Sequence, residues 1–79
     1  MSVPVGVRIL GIDPGLRVTG YACLERPIGA RSEAARVVEA GVIRLKPTRS
    51  ISHRLAELDA DLAEILDRTQ PAVAAVEKF

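Results

Sequence analysis

Two carboxylates in this sequence close apolar runs. Asp13 ends the stretch from Val7, and Glu77 ends the stretch Ala72-Val73-Ala74-Ala75-Val76. An acid at the carboxyl end of a core strand sits where open α/β sheets gather ligands, because loops vary there while the sheet fixes side-chain positions. If the two strands are parallel neighbours, they lie about 4.8 Å apart, and two oxygens at about 2.1 Å from one ion can share a hard cation between them. Such a site could bring an activated water to a phosphodiester and stabilise the leaving oxygen. The structural alternative is equally simple: an Asp before Pro-Gly shapes a turn, and a Glu at a strand end is a solvated charge. Spacing alone leaves both open.

Few other side chains invite chemistry. Arg17 follows Asp13 closely enough to reach a phosphate bound there, although an exposed turn charge is the plainer reading. His53 falls in a first helical turn with nothing to orient it as a base, and Cys23 reads as a small buried side chain. Gly15 and Gly20 are expected to serve backbone geometry near Asp13; no helix amino terminus follows them to cradle a phosphate.

The elements that must position the acids can be read from period and punctuation. Val7 to Asp13 form a first strand, and Pro14-Gly15 supplies the turn, with Gly permitting a positive φ. Val18 to Glu25 form a hairpin partner, Arg26 to Gly29 a turn, and residues 30 to 33 a mobile loop tip. A third strand runs from Ala35 to Leu45, with Gly41 marking a bulge or a close approach. The period then changes: Ile51, Leu55, Leu58, Leu62, Ile65 and Leu66 form one apolar stripe on a helix whose other face holds Glu57, Asp61, Glu64 and Arg68. Ser50 or Ser52 caps it and Pro71 ends it. The last apolar run lacks polar alternation and is expected to be a strand covered on both faces. A helical crossover before it lets it lie parallel to the first strand.

Seventy-nine residues with 48% hydrophobic and only 3% aromatic content suit an aliphatic α/β core. One cysteine excludes an internal disulfide, and no Cys/His cluster could hold structural zinc. No apolar run reaches membrane-spanning length, and Met-Ser-Val-Pro-Val does not open a secretory signal, so a cytoplasmic protein without a membrane partner is expected. The net charge of +1 hides a polarity: residues 1 to 50 carry eight basic and four acidic side chains, and residues 51 to 70 carry two and five. Excess positive charge in the first half suits a phosphate backbone, as well as an ordinary solvated surface.

The run Ile9 to Tyr21, ILGIDPGLRVTGY, closely resembles the first strand and turn of the RuvC family of Holliday-junction resolvases. The similarity continues in register through Gly41-Val42-Ile43, Arg54-Leu55, and Pro71 followed by AVAAVEKF, and so covers nearly the whole chain. It implies an α/β, ribonuclease-H-like fold: a mixed sheet in the order strand, strand, strand, helix, strand. It also implies a homodimeric, Mg²⁺-dependent endonuclease that cuts opposing strands of a four-way DNA junction in recombination and repair, with a branch-migration motor as a family partner. A two-fold dimer suits a two-fold substrate. By this resemblance Asp13 and Glu77 are catalytic metal ligands.

Two departures qualify the likeness. The family completes its site with acids on a carboxyl-terminal helix, and residues 1 to 79 stop before one. Its Phe stands three positions after the fourth-strand acid, whereas Phe79 stands two after Glu77. The expectation is therefore the amino-terminal part, 1 to 79, of one nuclease domain. Two other classes stay open on sequence: an actin-like ATPase domain, whose first-strand Asp is usually followed by Gly-Thr rather than Pro14-Gly15-Leu16-Arg17, and a catalytically incomplete DNA-binding fragment.

Overall fold

A computed structural model describes residues 6–29 and 34–77. The expected lead-in, the loop tip at residues 30–33 and Phe79 lie outside the described residues. Four strands and one helix follow in the anticipated order: β1 (Gly6–Asp13), β2 (Val18–Pro27), β3 (Arg36–Arg44), α1 (Ile51–Thr69) and β4 (Val73–Val76). The sheet order is β3-β2-β1-β4, with β1, β2 and β3 antiparallel and β4 parallel to β1. β2 runs two residues further than expected, through Pro27, and turns at Gly29, whose φ of 80° needs a glycine. The bulge on β3 falls at Val38, between the pairs Cys23–Glu39 and Leu24–Val37. Gly41 is instead the close approach: an added Cβ would meet the Tyr21 hydroxyl at 3.1 Å.

Local chemistry sets the limits of α1. Ser50 accepts a hydrogen bond from the His53 amide at 3.2 Å, and Gln70, left-handed at φ 48°, donates to the Leu66 carbonyl before Pro71. One face of the sheet meets the helix, through Leu10, Cys23, Ile43 and Leu45 on the sheet side and Ile65 on the helix, with Leu58 and Leu62 packed around them. Truncating Leu10, fully buried at the centre, costs about 2–5 kcal/mol by comparison with similar cores.

Two expectations about burial are corrected. Ile51, Leu55 and Leu66 of the helical stripe are exposed, because the helix seats only its middle and later turns on the small core. β4 is exposed along its whole length rather than covered on both faces. The helix packs toward β3, where Arg68 reaches Glu39, and so leaves β4 at the sheet edge uncovered by any described residue.

Polar clamps take up what the small core leaves. Buried Glu25 accepts from Arg8 at 2.7 Å and Arg36 at 3.0 Å, while Arg8 also donates to the Thr69 carbonyl at the end of α1. Glu39 accepts from Tyr21 at 2.7 Å and twice from Arg68, at 2.9 and 2.6 Å, joining β2, β3 and α1. The Arg68 hydrogen bonds, helped by Tyr21, hold the Glu39 carboxyl at about 2, down from 4.5. Glu25 is likewise lowered, first by its bond from Arg8. The unfolded chain therefore binds more protons between these limits, so the Glu39 contribution is full above pH 4.5 and is lost as pH falls toward 2. Urea unfolding from about pH 6 to about pH 3 should show stability declining with acid, and Glu39→Gln should make that decline shallower. An equal slope in the two proteins would contradict the clamp.

Candidate functional site

The parallel pairing of β1 and β4 brings the two acids to one sheet edge. Ile12 is opposite Val76, and the Glu77 amide continues the ladder by donating to the Ile12 carbonyl at 2.8 Å. Asp13 and Glu77 are thus the next residues on adjacent strands, which stand about 4.8 Å apart. Both are exposed, and neither forms an ion pair among the described residues. On the other side of Asp13 the register places Gly20 and then Val42, so no β2 side chain crowds the carboxylate.

Below this row the sheet face is nearly bare. Ala40, Ala22, Gly11 and Ala75 lie in line across all four strands, on the face turned away from α1. Together with the acids they line an open, mostly apolar cleft of about 790 Å³. Ile9, Leu24, Val37 and Val73 form the next row, all exposed.

The turn after Asp13 is held from three sides. The Leu45 amide donates to the Arg17 carbonyl at 2.7 Å, the Arg54 guanidinium donates to the Leu16 carbonyl at 3.2 Å, and the Gly15 amide reaches the buried Thr19 hydroxyl at 3.4 Å. Gly15 is required by space and not, as its Pro-Gly setting suggested, by a positive φ: an added Cβ would lie 2.2 Å from the Val18 carbonyl oxygen. Arg17 therefore extends from a fixed backbone four residues after Asp13, with its side chain exposed. His53 is outside this group, 3.5 Å from Glu57 on the helix, and Cys23 is in the core.

The two carboxylates suit a hard cation that keeps several waters or phosphate oxygens as its remaining partners. Among the described residues no group of three His, Cys, Asp or Glu side chains gathers to hold a metal. Sequence reasoning missed the supports. In sequence Arg54 enters only as part of the family resemblance, with no role, and Arg68 stands on the solvated face of the helix; the available signal for Arg68 was Glu39, an acid amid the apolar residues of β3.

The sheet order, the crossover helix on one face and the acids ending the parallel pair define a ribonuclease-H-like fold. The family described as Crossover junction endodeoxyribonuclease RuvC matches residues 9–79. Its member from Synechococcus sp. (strain CC9311) is 43% identical over 75 residues, covering 92% of this chain and 47% of the relative. That from Parasynechococcus marenigrum (strain WH8102) is 41% identical over 73 residues, covering 92% and 45%. The structure of T. thermophilus RuvC in complex with a Holliday junction substrate aligns with a TM-score of 0.75 at 27% identity, over 92% of this chain and 43% of that one. A second Thermus thermophilus RuvC structure gives 0.77 at 29%, over 91% and 45%. The chain belongs to the RuvC family, and it spans about half the length of these relatives.

Removing the Arg54 side chain should release the turn without touching either acid. In Arg54→Ala the amides of Leu16 to Val18 are expected to exchange hydrogen faster than in the parent, with those of β1 little changed. Unaltered exchange in the turn would show that Arg54 does not hold it.

Proposed function

We propose that the native gene product is a Mg²⁺-dependent endonuclease acting on four-way DNA junctions, and that Asp13 and Glu77 contribute two of its metal ligands. The observation carrying this reading is their adjacency on the parallel strand pair of a RuvC family member. The donor set fits the ion, since Mg²⁺ is commonly held by one or two carboxylates together with substrate phosphates. A divalent cation held there would supply Lewis-acid polarisation of the scissile phosphodiester. The chain's own residues do the rest: the β1–β4 ladder keeps the carboxylates at fixed spacing, the pinned turn presents Arg17 to a neighbouring phosphate, and Gly20 leaves room beside Asp13 for the DNA backbone.

Residues 1–79 are, in this reading, the amino-terminal part of one nuclease domain. The part of the relatives' length beyond this chain would cover the bare sheet face and bring further acids beside Asp13. Pairing of two such subunits would set one site against each of two opposing strands, as a two-fold junction requires. Recombination and repair are the fitting setting, and a branch-migration motor the fitting partner. Among the described residues no helix is long and apolar enough to cross a membrane. Family membership sets aside the ATPase alternative, and the Pro14-Gly15 turn offers no Gly-Thr pair to hold nucleotide phosphates.

Asp13→Asn in the native gene product removes ligand charge at an exposed position, so the fold and junction binding should persist. Cleavage should fall by at least roughly 100-fold, since even groups that merely orient metal ligands cost about 10- to 100-fold when changed. Cutting at the parental rate would refute the assignment.

A further inference from the structure

Nine arginine and lysine side chains fall among the described residues, of which Arg54 is engaged with the Leu16 carbonyl and Arg26 is exposed near the far end of β2. Arg8, Arg36 and Arg68 are paired with Glu25 and Glu39, so their charge is spent on holding the fold. Arg17, Arg44, Lys46 and Arg49 are exposed, and among the described residues none has a carboxylate within ion-pair distance.

These four converge at the sheet edge that carries the acids. Arg44 is opposite Val18, at the start of β2, and the Leu45 amide is bonded to the Arg17 carbonyl. Lys46 and Arg49 follow in the turn before α1, closed by the Arg49 amide donating to the Lys46 carbonyl at 3.1 Å. Arg44 shares a sheet face with Asp13, because Val42 and Gly20 lie in the Asp13 row and Arg44 is two residues further along. Two strand spacings across and two residues along place the Arg44 and Asp13 backbones about 12 Å apart, a length that three or four nucleotides cover at about 3.4 Å each. The acids Glu57, Asp59, Asp61, Glu64 and Asp67 fall away from this edge, beginning about 9 Å along α1 from its first residue, and Glu57 faces His53 on the helix itself.

We infer that Arg17, Arg44, Lys46 and Arg49 form a phosphate-tracking rim, which holds the backbone of a DNA arm leading away from the Asp13–Glu77 pair. The rim rests on the nuclease reading for its partner, but its position and charge come from the fold. Bonds to phosphate position a nucleic acid without reading its sequence. The rim accordingly sets affinity and its salt dependence for any duplex arm, while choice of cleavage sequence lies elsewhere.

The test is the salt dependence of binding by the native gene product, measured with a linear duplex and with a four-way junction across a KCl series. Every phosphate that a variant leaves unneutralised lowers the slope of log affinity against log salt by about 0.9, so the combined variant Arg17→Gln, Arg44→Gln, Lys46→Gln and Arg49→Gln should lose about 3 to 4 from the slope on both probes. Arg26→Gln, which removes an exposed charge near the far end of β2, should leave the slope unchanged. A combined variant with the parental slope, or an Arg26→Gln loss equal per charge to the rim's, would overturn the inference. A parent protein that binds duplex and leaves junctions uncut would instead overturn the nuclease reading and leave the rim standing.

Discussion

The parallel ladder between β1 and β4 is the constraint on which the rest of this structure depends. Asp13 and Glu77 are 64 positions apart in sequence and have no direct hydrogen bond. What makes them neighbours is backbone pairing from Ile9–Val73 to Ile12–Val76, extended by the Glu77 amide on the Ile12 carbonyl. A one-residue slip would turn one of the acids to the other face of the sheet, because side chains alternate along a strand. Parallel pairing in turn requires a crossover, and α1 provides it. The helix is therefore anchored at both ends: Ser50 caps its start beside the site, and Arg8 of β1 holds the Thr69 carbonyl at its finish.

The distribution of stabilising interactions follows from a one-sided core. Among the described residues five buried apolar side chains fill the gap between sheet and helix, and charged clamps around Glu25 and Glu39 close its margins. The opposite face, with its in-line Ala40, Ala22, Gly11 and Ala75, has backbone close to the surface and apolar rows on one side. Such a face lets another element approach closely, and the two acids emerge at its end, just past this row. Bare sheet and acid pair thus lie together on one face.

Much of the fold was legible because its signals are local. Pro14-Gly15, the shift to a period of three and four after Ser50, and Pro71 mark the elements to within two residues, and the crossover rule then places β4 beside β1. Asp13 and Glu77 could be picked out because each closes an apolar run. The exposure of β4 was not legible, since an apolar run reads the same whether it is covered or bare. Arg54 and Arg68 were also hidden. Their roles depend on which way a helix face points once the core has formed, and a charge that grips the Leu16 carbonyl reads in sequence like one that meets only water.

The most direct measurement is the position of bound Mn²⁺, used as an anomalous scatterer in place of Mg²⁺, in crystals of the native gene product. The account predicts an ion between the Asp13 and Glu77 carboxylates, at oxygen distances of about 2.0–2.3 Å, that disappears when either residue is replaced by its amide. An ion bound elsewhere with both carboxylates free, or one that survives both replacements, would contradict it.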